Sequence, residues 1–335
     1  MENMIGFDGI GIDPFLVDRI AFSVGKFNVY WYAVLITTGL ILAVAFCMWQ
    51  AKKFDLTVDN ILDALLVGLP SGIVGARAYY VLFKLDQYDS FAEIVNIRDG
   101  GLAIYGGVIC AFLAGWIYCR VKKVNMLALF DIASLGFLIG QSIGRWGNFV
   151  NAEAHGSVTD LPWGMTINGY GPYHPTFFYE SIWNLIGFAL IFLFAKKWKR
   201  HHGEVFYLYL AWYGLGRSWI EGLRTDSLYL GPIRVSQALA ILLLVAGVVL
   251  MILSRKGIIK KMQEATVARA VKKSEAYKPI YTPLLNNDTM ALGGENAKSL
   301  AEGDTSESDS TVEDEKEEEL TDGEDITREK EQENG

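Results

Sequence analysis

Four residues near the middle of the chain have a spacing that suits them to chemistry. Tyr213, Arg217, Glu221 and Arg224 are separated by four, four and three residues, so on a helix they share one face. An internal Arg217–Glu221 ion pair would neutralise two charges and do nothing more. Arg224 repeats the cation on the same face without an extra local acid, which favours a lined polar cavity. Arginine suits a cavity for phosphate, because its planar fork makes bidentate contacts and keeps its charge when partly desolvated.

A second group is the stretch GRWGNFVNAEAHG, residues 144–156, which directly follows the apolar run LALFDIASLGFLIGQSI. It is expected to fold back as a polar cap over the cavity mouth. Arg145 supplies charge, Asn148 and Asn151 supply amide hydrogen bonds, and the glycines permit close backbone approach. Overlapping its start, GQSIG (140–144) has the form of a hydrolase nucleophile turn, but that turn needs a strand before it and a helix after it. Here it lies inside an apolar helix. Gly136, Gly140 and Gly144 form instead a strip of small residues against which another helix backbone can pack.

These residues must be positioned by membrane spans. Apolar windows long enough to cross about 30 Å of hydrocarbon occur at 29–49, 60–83, 102–119, 126–144, 177–195, 204–222 and 234–253. They predict an all-α integral membrane protein of about seven transmembrane helices. The connections at 51–53, 120–123, 196–200 and 255–261 hold 13 Lys and Arg, against seven in the alternate set, so the first set is assigned to the cytoplasm. The N-terminus is then outside and the C-terminus inside. No removable signal peptide is expected at the N-terminus.

With that orientation the costly polar residues share one depth. Tyr32, Arg77, Tyr105, Arg145, Glu180, Arg217 and Glu221 all fall near the outer ends of their spans. Charged side chains within spans cost roughly 2.5–3.5 kcal/mol on insertion scales and usually face a protein interior or a watered cavity. Several arginines at one leaflet suit a lipid headgroup, and a nucleic-acid partner is a poor fit there.

The formal charge of −8 is local: from Glu295 onward 17 acidic residues face four basic ones, a net of −13, which leaves +5 for residues 1–294. We expect a transmembrane catalytic domain at 1–260, a cytoplasmic juxtamembrane linker at 261–285 and a disordered acidic tail at 286–335. Cys47, Cys110 and Cys119 lie in apolar runs without metal-ligand spacing, so neither a metal site nor a nucleophilic thiol is expected.

The pattern G-R-x-G-N-F-x-N-x-E-x-x-G is filled at every defined position by residues 144–156, and in this the chain resembles the prolipoprotein diacylglyceryl transferases. The resemblance runs over residues 15–253 and includes YWY (30–32), GARAYYVLF (75–83), DGGLAIYGG (99–107), HPTFFYE (174–180) and YGLGRSWIEGLRTD (213–226). It implies a multi-pass enzyme of the bacterial plasma membrane, with its site near the outer leaflet and no cofactor. That enzyme would move the diacylglyceryl group of phosphatidylglycerol to the lipobox cysteine of a preprolipoprotein, leaving a thioether and releasing glycerol phosphate. By the same resemblance Arg217 and Glu221 match the family's essential pair, Arg145, Asn148 and Gly156 belong to the signature, with Arg145 assigned a catalytic role, and Tyr32 and Tyr213 are functionally important. Arg77, Asn151, His174, Glu180 and Arg224 are assigned with them to substrate binding.

One position departs from the family pattern: several members have histidine where this chain has Tyr105. A tyrosine, with a reference pKa of about 10, serves as a base only if cations lower that value. Tyr105 is therefore either the base that takes the thiol proton or a residue that packs and hydrogen-bonds to lipid. The chemistry suits the composition in other ways. The nucleophile belongs to the substrate, so none is needed from the protein, and arginines stabilise a departing phosphate. A transporter of an anionic solute is the alternative class, though no internal repeat of the kind found in many transporters is visible. A different lipid-modifying or lipid-cleaving enzyme is another.

Overall fold

The computed structural model describes residues 2–97, 100–225 and 229–259. The expected linker and acidic tail lie outside the described residues. Seven long helices occupy the seven apolar windows: α1 (Trp31–Gln50), α2 (Val58–Leu82), α4 (Ile104–Lys122), α5 (Met126–Asn151), α6 (Thr176–Lys197), α7 (Glu204–Leu223) and α8 (Val235–Arg255), with a short α3 (Phe91–Val95) between α2 and α4. Six of them are long and apolar enough to cross a membrane; α7 is less apolar, since it carries Arg217 and Glu221 among several Tyr, Trp and Gly residues. The protein is a mostly helical, multi-pass membrane protein. Leu66, Val74, Ile104 and Val121 project from α2 and α4 with about 70% of their surface uncovered, as lipid-facing side chains would.

Small residues set the helix contacts. Helix α1 packs on α5 where Gly39 faces Gly140, and a Cβ on Gly136 would come within 2.9 Å of the Cys47 sulfur. The glycine strip is thus a packing surface at Gly136 and Gly140, whereas Gly144 faces open space. Helices α6 and α7 are joined by Trp183 and Trp212, which stack at 4.4 Å; each donates its indole N–H to the other's carbonyl oxygen, at 3.1 and 3.0 Å. Ser142 is buried, and among the described residues its hydroxyl bonds only to Ser181 of α6, in keeping with a structural role.

Asp131, a charge inside the expected fourth span, is fully buried and satisfied. Its carboxylate accepts the backbone N–H groups of Gly203 and Phe206, both at 2.9 Å, and pairs with Lys199 at 3.1 Å. It therefore caps the N-terminus of α7 from another helix, where negative charge is favoured.

Two features differ from the sequence reading. The first is that α5 does not stop at residue 144: it continues to Asn151, so Arg145, Asn148 and Asn151 stand on a helix and not in a folded-back loop. Nothing in GRWGNFVN breaks a helix, and the chain turns only at Ala152, whose φ of 52° lets its N–H reach the Asn148 and Phe149 carbonyls. The second is a small β-structure at the same end of the bundle. Strands β1 (Glu2–Phe7), β2 (Ile12–Asp18), β5 (Met165–Ile167) and β6 (Tyr170–Tyr173) form one antiparallel sheet in the order β2-β1-β5-β6. A hairpin of β3 (Ile20–Val24) and β4 (Phe27–Tyr30) leads into α1, and β7 (Tyr229–Leu230) pairs with β8 (Ile233–Arg234) before α8. Ile5, Met165, Ile167 and Phe177 bury one another, which ties the N-terminal hairpin to the α5–α6 connection.

Candidate active site

The site is assembled from the C-terminal ends of α5 and α7 and the N-terminal ends of α6 and α8, which lie together. Its centre is Glu180, one turn into α6 and only 5% exposed. One carboxylate oxygen, Oε2, pairs with Arg145 of α5 at 2.5 Å. The other, Oε1, takes Arg217 of α7 at 2.7 Å and Arg224, just beyond α7, at 3.5 Å. Arg217 is forked, since its second nitrogen pairs with Glu221, one turn on in α7, at 2.5 Å. The local Arg217–Glu221 pair therefore exists, but as one edge of a larger network that spans three helices.

Burial makes this network matter. Glu221 is 1% exposed and Glu180 nearly as covered, so each charge depends on its partners in a medium where an unpaired one is costly. Arg234, the N-cap residue of α8, donates to the Glu221 carbonyl and, through Nε, to the Tyr229 hydroxyl at 2.7 Å. Three arginines thus converge on two buried carboxylates, and Arg234 joins them through the Glu221 backbone carbonyl. Arg145 and Arg217 stand on helix ends and Arg224 just beyond one, an arrangement suited to recognition of a phosphate.

The signature residues extend the network outward. Arg145 donates to the Asn148 side-chain oxygen at 3.4 Å, and Asn148 in turn donates to Glu153 at 2.9 Å. Asn151 donates to the same Glu153 oxygen at 3.3 Å, and its carbonyl accepts from Arg19 at 2.8 Å. Glycine is required at two signature positions. A Cβ on Gly147 would stand 2.6 Å from the ring of Tyr32, which packs there across the α1–α5 contact. A Cβ on Gly156 would stand 2.6 Å from His174 and 3.0 Å from the Leu223 carbonyl. Gly156 fills a narrow gap: its N–H donates to His174, Ser157 donates to Leu223, and Gly156 bridges to Arg224. The end of the signature therefore fixes the segment that carries Arg224.

The remaining expected residues divide into two groups. Tyr213 is within electrostatic range of Arg217, Glu180, Arg145 and Tyr105, and Tyr105 shares a hydrogen bond of 3.2 Å with Ser236 of α8. His174 faces the Tyr179 hydroxyl at 3.3 Å, and the signature's His155 packs against the Tyr173 ring in a tilted arrangement. Arg77 has other partners. Its guanidinium donates to the carbonyls of Glu93, Ile94, Gly100 and Gly101 at 2.7–3.1 Å and lies over the Tyr88 ring.

Arg19, Glu153 and Arg234 were missed in the sequence. Glu153 lies inside the signature and its spacing to Asn148 and Asn151 offered a signal. Arg234 stands alone before an apolar helix and offered none.

Residues 19–253 match the family model described as prolipoprotein diacylglyceryl transferase. The chain belongs to that family. It is 46% identical over 245 residues to the phosphatidylglycerol--prolipoprotein diacylglyceryl transferase of Finegoldia magna, an alignment covering 73% of this chain and 98% of the relative. It is 47% identical over 260 residues to the enzyme numbered 1 of that name from Clostridium perfringens, covering 72% and 99%. It is 42% identical over 234 residues to the one from Clostridioides difficile, covering 70% and 94%. The family match covers the residues of the network from Arg19 to Arg234, six of the seven long helices in full and all but the last two residues of α8.

Proposed function

We propose that the chain is a transferase that moves the diacylglyceryl group of phosphatidylglycerol to the cysteine thiol of a prolipoprotein. The observation that carries the reading is the convergence of Arg145, Arg217 and Arg224 on the buried carboxylate of Glu180, in a chain that belongs to this transferase family.

The reaction needs the substrate thiolate to attack the glyceryl carbon that bears the phosphate. A carbon–sulfur bond forms, the carbon–oxygen bond breaks, and its electron pair leaves on the phosphate oxygen as glycerol phosphate. Charge grows on that oxygen in the transition state, and preorganised arginines stabilise it most at that point. Glu180 and Glu221 hold the guanidinium groups in position, so little reorganisation is needed when phosphate arrives. Tyr213 borders the same arginines, Tyr105 bonds to Ser236 of α8, and Asn148 and Asn151 extend the polar surface toward the end of α5.

The acceptor is the lipobox cysteine of a preprolipoprotein, and the site faces the outer leaflet of the bacterial plasma membrane. The distribution of cations supports that orientation. Lys52, Lys53, Arg120, Lys122, Lys196, Lys197 and Arg255 gather at the helix ends remote from Glu180, and cations are retained on the cytoplasmic side.

The test is a purified reaction containing phosphatidylglycerol and a lipobox peptide. Lipidated peptide is the expected product, and a peptide with serine in place of cysteine should be a far poorer acceptor, because a hydroxyl supplies almost no anion near neutral pH. Equal modification of both peptides, or lipid consumed without peptide product, would replace transfer with lipid hydrolysis.

A further inference from the structure

The helix ends remote from Glu180 enclose a second polar site. The ends of α1, α4 and α6 and the turn between α6 and α7 surround a cavity of about 680 Å³. Lys53, Arg120, Lys199 and Arg200 line it, together with His201 and His202, against a single carboxylate, Asp55. An adjoining cavity of about 480 Å³ shares Lys53 and Lys199 and is also lined by Lys196 and Gln50. Gln50 is 1% exposed, and neither atom of its side-chain amide has a hydrogen-bond partner among the described residues.

The cationic turn is held from below. Asp131 is occupied by the Gly203 and Phe206 N–H groups and by Lys199. Glu204, also fully buried, accepts the Arg200 backbone N–H at 2.7 Å and pairs with Arg255 at 2.9 Å. Asp55 pairs with His202 at 3.1 Å. Among the described residues, the side chains of Lys53, Arg120 and Arg200 have no carboxylate partner; Lys53 lies over Trp49 and Arg120 over Trp116. Among the described residues, these three cations thus stand without a carboxylate beside Asp55, Asp131 and Glu204, each of which is already paired.

We propose that this second site binds phosphate, carried by the headgroup of an anionic phospholipid in the leaflet remote from Glu180. Basic pockets between spanning helices recognise such headgroups. The apolar wall favours a lipid over a soluble phosphate: Trp116, Val124 and Leu127 line the cavity beside the cations, and Ile117 and Val121 of α4 are 54% and 71% exposed. A headgroup held by Arg120 and Arg200 can therefore lay its acyl chains along α4.

Equilibrium retention of radiolabelled phosphatidylglycerol, phosphatidylcholine and inorganic phosphate by the purified full chain tests the proposal. Wild type is compared with the triple variant Lys53→Ser/Arg120→Ser/Arg200→Ser. These positions are at the opposite end of the bundle from Glu180, so the difference between the two proteins reports this site alone. The triple variant should retain phosphatidylglycerol at least fivefold more weakly, with phosphatidylcholine unaffected and the same melting temperature in phosphatidylcholine micelles. Arg120→Lys/Arg200→Lys should keep most of the binding. A difference confined to inorganic phosphate would keep the site and assign it to a soluble ligand in place of a lipid. Equal retention of every probe by wild type and triple variant would overturn it, as would a loss of phosphatidylglycerol that the lysine variant shares in full.

Discussion

Replacing Glu180 by Gln removes one negative charge and one strong acceptor from the centre of three arginines. Arg145, Arg217 and Arg224 lie 2.5, 2.7 and 3.5 Å from its oxygens, and the side chain is only 7% exposed, so solvent screens little of the change. Removing one partner from a buried ion pair costs about 3–5 kcal/mol. The amide keeps one oxygen acceptor, so a loss of about 2–3 kcal/mol in arginine alignment is expected, or roughly 30- to 150-fold in kcat at 1.36 kcal/mol per tenfold. KM for phosphatidylglycerol should not rise, because the arginines keep their charge and have one fewer carboxylate competing with the phosphate. Steady-state kinetics of Glu180→Gln in the peptide lipidation assay separates the two parameters, and a melting curve in detergent confirms folding. A kcat within threefold of wild type, or a raised KM at unchanged kcat, would show that Glu180 does not organise the arginines.

Other substitutions probe the rest of the framework. Tyr105→Phe deletes the hydroxyl shared with Ser236 and should leave a reduced but measurable rate in the same assay; complete loss with lipid still bound would make the phenol the base. Gly147→Ala drives a Cβ into the Tyr32 ring at 2.6 Å, and overpacking of this kind costs about 1–3 kcal/mol. Its melting temperature should fall and recover in part in Gly147→Ala/Tyr32→Leu; no change in the single variant would refute the close contact. Arg77→Ala leaves four carbonyls without their donor, each costing about 1–3 kcal/mol if it stays dry. Thermal stability should drop while KM of the surviving enzyme holds, and a normal melting curve with raised KM would instead put Arg77 on the lipid.

Sequence alone was enough for the features whose physics is local. Hydropathy over a span length is a property of consecutive residues, so the windows for all seven long helices could be read directly. The shared face of Tyr213, Arg217 and Glu221 follows from helix periodicity, and the signature from Gly144 to Gly156 pointed to both the family and the chemistry. The end of α5 was placed too early because hydropathy falls at Arg145, while the backbone keeps its helical hydrogen bonds until Ala152. Only the tertiary structure brought Glu180 against arginines 35, 37 and 44 residues away, put Asp131 under the N-terminus of α7, and joined residues 2–7 to 165–167 in one sheet. Such partners are chosen by how helices and strands pack after they form, and a buried charge carries in its own sequence neighbourhood no record of which distant group will neutralise it.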